Sequence, residues 1–340
     1  MSTPIFIQNQ KSFEGVAEAL GKVDAFAIDT EFDNNHYAYG FTLCLIQIAT
    51  ADTCYLIDPF EVKDLSRLWL ILENSAIEKV LHDCGEDMRL FYLHGCSPKN
   101  IFDTSIATKL LGFEKIGLGS VLSEVLEIEF SKQKQQSNWL KRPLTSQQLE
   151  YAANDVRHLL ALRDTLTLEL RSKNRWEWFM QSMAFLEHKN FAPKAKDSFL
   201  TTKDLKLFNP FEQYVLNELY RFRDSQAQRI GKPVYQVIIE NIIHQAIQNA
   251  AILDDWTNLK GIHYKLQNPA IAAQLKGVLE EATQRAIELN IPVKKPRPTP
   301  QQLKEMQLRA ERSNTLKNEI FLPIKRWLEE KYGILLTPIY

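Results

Sequence analysis

Between residues 25 and 102 short β-prone runs alternate with stretches of helical period, whereas from Gln181 onward only the helical period remains. That switch constrains the architecture more than any single residue does. Ala25-Phe26-Ala27-Ile28 leads straight into Asp29-Thr30-Glu31 and reads as a buried strand. Leu43–Ala49 and Cys54–Asp58 read as two more, the second stopped by Pro59, and the short link Ala51-Asp52-Thr53 predicts a hairpin between them. Lys79–His82 and Ile101-Phe102 complete a set of five strands. Met88, Phe91 and Tyr92 place a helix over 86–94, stopped by Gly95. Further helices are expected over 104–111, stopped by Gly112, and over 118–126. Thr145 and Gln148 fit a capping box that starts a helix running to about Arg171. The expected class is therefore α/β in front, followed by an all-α part.

A chain of 340 residues suits two modest domains, and 45% apolar with 24% charged residues is enough for a core of ordinary size. Polar residues 193–198 and the proline-rich stretch 292–300 are the expected linkers. The N-terminal residues have no basic region ahead of an apolar run, and no uninterrupted apolar stretch approaches the roughly 18 residues of a membrane span. Neither a signal peptide nor a membrane segment is expected, which points to the cytoplasm. Cys44, Cys54, Cys84 and Cys96 show no C-x-x-C spacing, so buried reduced thiols are expected rather than a zinc site. The net charge of −1 hides an asymmetry: residues 1–172 carry 16 Lys and Arg against 24 Asp and Glu, leaving 25 against 18 for the rest. An acidic front suits the gathering of cations, and a basic back suits the gathering of phosphates.

The acids of the front half have a pattern of their own. Asp29 and Glu31 are two apart on a strand and so share a face, where two like charges beside an apolar strand call for a counter-charge. A divalent cation would supply it, and carboxylate oxygens suit Mg²⁺ or Mn²⁺; the alternative is a wet strand end. Asp87 falls in the first turn of a helix, where the dipole favours an acid whether or not it does chemistry. Tyr151 and Asp155 are four apart on one helix face. His82 and Asp103 are expected to be structural, Asp103 as an N-cap.

Taken together, the order Asp-x-Glu, then Asp, then Tyr-x-x-x-Asp resembles the tyrosine-bearing branch of the DEDD exonuclease superfamily. The local text is similar to ribonuclease D: Ile28-Asp29-Thr30-Glu31-Phe32, His82-Asp83-Cys84-Gly85-Glu86-Asp87, and Trp139-Leu140-Lys141-Arg142-Pro143-Leu144-Thr145 leading to Glu150-Tyr151-Ala152-Ala153-Asn154-Asp155-Val156. The resemblance implies an RNase H-like exonuclease domain over roughly 1–185, with a five-stranded mixed sheet whose second strand is antiparallel. It also implies that Asp29, Glu31, Asp87 and Asp155 bind two divalent cations, Mg²⁺ or Mn²⁺, and that Tyr151 sits by the attacking water. A phenol of ordinary pKa near ~10 is a poor base at neutral pH, so Tyr151 is expected to orient that water.

The activity so implied is 3′→5′ hydrolysis of RNA ends, with tRNA precursors as the substrate class and no organic cofactor; a monomer is the default expectation, since nothing in the sequence suggests otherwise. A DNA exonuclease and a silent nucleic-acid-binding protein are the alternatives. Phe32 is a candidate to stack on the terminal base, against a plain core role. The basic loop 131–143 offers Lys132, Lys134, Lys141 and Arg142 around Trp139 as a single-strand contact, against a solvated loop anchored by Trp139. Residues 208–290, with Leu219–Ala227 and Gly231–Val237, resemble the HRDC domain, although Phe222 stands where that module usually has a Trp-like residue before its Arg. Arg221, Arg223, Arg229 and Lys232 are its candidate phosphate contacts, and 291–340 is expected to be a helical extension, with a partial second copy of that module as the alternative reading.

Overall fold

A computed structural model describes residues 3–129, 137–193, 197–294 and 300–332. The chain packs as two units, one comprising Met1–Asp33, Thr42–Pro193 and Glu311–Tyr340, the other Asn34–Phe41 and Lys194–Ala310.

The first unit is built on a sheet of six strands: β1 (Ile5–Ile7), β2 (Ala25–Asn34), β3 (Phe41–Ala49), β4 (Cys54–Ile57), β5 (Glu78–Leu81) and β6 (Ile101–Asp103), in the order β1-β4-β3-β2-β5-β6. β3 and β4 form the expected antiparallel hairpin, while β2 with β5, and β5 with β6, run parallel. The strand count exceeds the expected five because Ile5–Ile7 adds an edge, pairing parallel with β4 from Ile5↔Tyr55 to Ile7↔Ile57. Three residues are too few to show a period. Central strands covered on both sides have to be apolar without alternation, and Phe26, Ala27 and Ile28, like Leu43 to Ile46, are buried in succession.

Around the sheet lie α1 (Gln10–Leu20), α2 (Ser66–Glu73), α3 (Gly85–Leu93), α4 (Thr104–Leu111), α5 (Leu118–Leu126), α6 (Ser146–Arg157), α7 (Leu159–Ser172) and α8 (Trp176–His188). α1 and α2 were not anticipated. α1 nevertheless carries a legible stripe of Phe13, Val16, Ala17 and Leu20 behind an Asn9 cap that accepts the Ser12 amide. The long helix expected over 145–171 is two helices. Its capping box is present, but at His158 (φ −110°, ψ −3°) the chain turns before α7 begins. Leu162, Leu166 and Leu170 then bury α7 against Phe102, Ala107 and Phe179 in the main core.

The second unit is helical: α9 (Thr202–Leu207), α10 (Pro210–Ile230), α11 (Val234–Val237), α12 (Glu240–Gln248) and α13 (Pro269–Glu288), with 3₁₀ turns over Ala250–Asn258 and Tyr264–Leu266. Asn209 caps α10 ahead of Pro210, and Gly231 ends it in the left-handed region at φ +67°. Trp256 sits in the middle of the core, its indole N–H donating to the Leu266 carbonyl at 2.8 Å. α14 (Pro300–Thr315) and α15 (Leu322–Tyr332) close the described chain. All four cysteines are buried and free, and no helix among the described residues is long and apolar enough to cross a membrane.

Candidate active site

Three elements deliver the acids. β2 carries Asp29 and Glu31, whose period-two spacing turns both into one cavity of about 490 Å³. Because β5 runs parallel beside β2, the turn at the end of β5 drops α3 next to the acidic end of β2. Asp83 takes a left-handed conformation in that turn (φ +59°), and the Asp103 carboxylate holds the turn shut. It accepts the amides of Asp83 at 3.0 Å, Cys84 at 3.0 Å and Ser105 at 2.8 Å. Asp103 is thus the expected N-cap of α4 and also the clamp on the entry to α3. Asp87, in the first turn of α3, is buried and accepts the Thr30 hydroxyl at 2.5 Å. α6 supplies Tyr151 and Asp155 one turn apart, and the phenol is hydrogen-bonded to the Asp155 carboxylate. Asp29, Glu31, Asp87, Tyr151 and Asp155 all line the one cavity, together with Phe32.

The electrostatics of this cavity are adverse to the bare acids. Burial first, and then the charges of Asp87 and Asp155, push the Asp29 carboxyl well above its ordinary range. Glu31 is raised in the same way by burial and by the other three. Asp87 is pushed up to about 6 by burial, against the opposing hydrogen bond from Thr30. Asp155 is pushed up to about 7 by burial, against the hydrogen bond from Tyr151. Tyr151 is raised further above its usual value by burial and by the neighbouring carboxylates. Four oxygen-donor acids that resist ionisation together are the donor set that hard divalent cations satisfy. The acids ring the cavity rather than pinch one point. Among the described residues only Asp204, Glu240 and His244 bring three such ligand atoms within 4.8 Å of one another. That trio lies in the second unit and is internally bonded: His244 Nε2 is 3.0 Å from Asp204, 3.6 Å from Glu240 and 2.8 Å from the Tyr220 hydroxyl.

Not every candidate faces the cavity. Trp139 is 3% exposed, with its ring packed 6.2 Å from that of Tyr151, so it is an anchor in the core. Arg142 also turns inward. Its Nε and Nη2 grip the buried Asp58 carboxylate at 2.6 and 2.8 Å, Nη2 also donates to the Cys44 carbonyl at 2.7 Å, and Nη1 donates to the carbonyls of Trp139 and Lys141 at 2.8 and 2.9 Å. With all five N–H groups used, nothing of Arg142 is left for a phosphate, which corrects the expected RNA contact for both residues. Lys132 and Lys134 lie outside the described residues. His82 does line the cavity, and both of its ring nitrogens are engaged: Nδ1 meets the Thr104 hydroxyl at 2.8 Å, Nε2 meets the Ile116 carbonyl at 2.9 Å, and burial lowers its pKa. In the second unit Arg223 is half-buried over the Tyr220 ring, while Arg221, Arg229 and Lys232 are exposed. The sequence reading missed Thr30, flanked by the two strand acids, and the cavity wall at Ser105 and Ile116 to Gly119, which carries no local chemical signal.

The ends of strands and helices around a mixed sheet bring four acids and a tyrosine to one cavity, and the family profile described as 3′-5′ exonuclease matches residues 4–171. Ribonuclease D of Desulfotalea psychrophila is 34% identical over 246 residues, covering 70% of this chain and 64% of the relative. That of Pseudomonas paraeruginosa is 34% identical over 225 residues, covering 64% and 58%. The chain therefore aligns with less than two thirds of either relative's length. The crystal structure of Escherichia coli RNase D shares the fold, with a TM-score of 0.75 and 23% identity over 98% of this chain and 86% of that one. Residues 4–171 thus match the 3′-5′ exonuclease domain, and the chain is similar to ribonuclease D.

Proposed function

We propose that the protein is a metal-dependent 3′→5′ exoribonuclease that trims RNA 3′ ends, tRNA precursors among them, as a cytoplasmic monomer. The observation that carries this reading is the convergence of Asp29, Glu31, Asp87 and Asp155 from β2, α3 and α6 on one cavity that also holds Tyr151. The E. coli relative is described as an exoribonuclease involved in structured RNA processing, which favours RNA over DNA.

The four carboxylates would hold two divalent cations, Mg²⁺ or Mn²⁺, which when bound neutralise charge on the scissile phosphate and acidify the attacking water. The protein's own groups do the rest. Thr30 fixes one Asp87 oxygen through its hydroxyl and so orients the carboxylate on the cavity wall. Tyr151 keeps its proton at any physiological pH, because burial and the neighbouring acids raise it above an already high value. It therefore orients the attacking water by hydrogen bonding and does not act as a base. Asp155 accepts the phenolic hydrogen bond and aims the hydroxyl. Phe32 lines the cavity beside Glu31, which supports a stacking role against the terminal base. The helical unit, read as HRDC-like, offers Arg221, Arg229 and Lys232 to the RNA backbone.

The test is end-labelled single-stranded RNA and DNA of one sequence, each incubated with Mg²⁺, Mn²⁺ or EDTA and resolved on a gel. Stepwise shortening of RNA from its 3′ end in either metal, and none in EDTA, is expected. Faster shortening of DNA would move the reading to a DNA exonuclease. Binding of both without cleavage would make the chain a silent binding protein.

A further inference from the structure

Arg142 is the most heavily engaged side chain near the cavity, yet it does not line it. Its guanidinium joins three parts of the first unit that are far apart in sequence: the buried Asp58 after β4, the Cys44 carbonyl on β3, and the Trp139 and Lys141 carbonyls in the turn leading to α6. Its planar face lies over the Phe60 ring, 4.6 Å from the centroid. Asp58 is fully buried, and its Oδ1 also accepts the Phe60 amide at 3.0 Å, so the acceptor is itself fixed. The Trp139 carbonyl held by Arg142 belongs to the residue whose ring packs on Tyr151. Three residues beyond Arg142, Thr145 opens α6 with its capping box.

We infer that Arg142 is a positioning residue for Tyr151, acting through Trp139, an inference that rests on the exonuclease reading proposed above. The Asp58–Arg142 pair fixes the Trp139 main chain. The Trp139 ring then limits where the Tyr151 ring can tilt, and so where the phenol meets Asp155. A lysine at 142 would keep the charge but has three donors on one nitrogen. It cannot grip Asp58 in two places and also reach three carbonyls in different directions.

The test is a double-variant cycle with Arg142→Lys, Tyr151→Phe and the pair, each assayed for kcat and KM on single-stranded RNA. Arg142→Lys is expected to lower kcat about tenfold with KM within about twofold, and to cost nothing further once Tyr151 is already Phe. Asp58→Asn is the second variant, should Arg142→Lys fail to fold, and it is expected to behave likewise. An activity-free readout accompanies the cycle: the ring ¹³Cζ resonance of Tyr151, assigned by its loss in Tyr151→Phe, is expected to shift in Arg142→Lys. Multiplying losses with an unmoved resonance would overturn the inference and leave a general scaffold role. A raised KM with a flatter salt dependence of RNA binding would overturn it in favour of a phosphate contact. A resonance that shifts in Arg142→Lys while the parent protein cleaves nothing would sink the exonuclease reading and leave the positioning contact intact.

Discussion

Replacing Asp155 by Asn should make the metal-free protein more stable while destroying its activity. Raising this carboxyl from its ordinary 3.8 to about 7 places a penalty of about 4 kcal/mol on the ionised form, at about 1.4 kcal/mol per tenfold change. Asn keeps an oxygen to accept the Tyr151 phenol and carries no charge, so the penalty is removed and the hydrogen bond is not. Part of the strain in the parent is relieved when Asp29 or Glu31 takes up a proton instead, so a net gain of about 2–4 kcal/mol is the expectation. For a unit of this size that is a rise in Tm of about 5–15 °C.

The sign follows from linkage. The folded state binds the Asp155 proton more tightly than the unfolded chain does, so the parent loses stability as pH climbs from near 4 through about 7 and then levels off. The gap between variant and parent should therefore be small at pH 4.5 and full at pH 8.5. Differential scanning calorimetry in EDTA across that range measures it. Excess Mg²⁺ or Mn²⁺ should reverse the order, since a ligand that binds only the folded parent stabilises it by mass action. An Asn variant that melts at or below the parent in EDTA at pH 8.5, or a gap that does not move with pH, would refute the account of the acids as a repelling buried cluster.

Other consequences concern single contacts. Tyr151→Phe should lower the cleavage rate by about 10²-fold while RNA affinity in a filter-binding assay stays at the parental value; an unchanged rate would end the water-orienting role. Asp103→Ala frees three amides at the starts of α3 and α4 and should cost about 2–4 kcal/mol in urea unfolding. It should also lose activity, because Asp87 sits in the turn so released, and retention of full activity would separate the two. Gly261→Ala should destabilise the helical unit by about 1–3 kcal/mol, since Gly261 sits at φ +97° and an added Cβ would lie 2.5 Å from Ile239 Cδ1. Amide exchange in α11 and α12 reports that loss, and unchanged protection there would contradict it.

What was legible in advance was what the backbone repeats locally. Asp29 and Glu31 share a face because a strand has period two, and Tyr151 and Asp155 share one because a helix returns nearly to register after four residues. The caps at Asp103 and Thr145 and the β3–β4 hairpin were visible for the same reason. Asp87 had no such signal and was found through its resemblance to a known pattern. The break at His158 was hidden because Leu159 and Leu162 continue the apolar spacing across it.

By itself, then, the sequence determined five of the six strands and the helices from α3 onward in the front half apart from the break at His158, which residues share a face with an acid, and that the back half is helical. Only the tertiary structure decided that Thr30 bonds Asp87 across 57 residues, that Asp103 holds two helix starts, and that Arg142 turns inward to Asp58 across 84 residues. The physical reason is that a lysine- and arginine-rich loop reads the same whether its cations face water or a buried carboxylate. Local periodicity is a property of the backbone, whereas the partner of a guanidinium is settled by which distant acid the sheet carries to it.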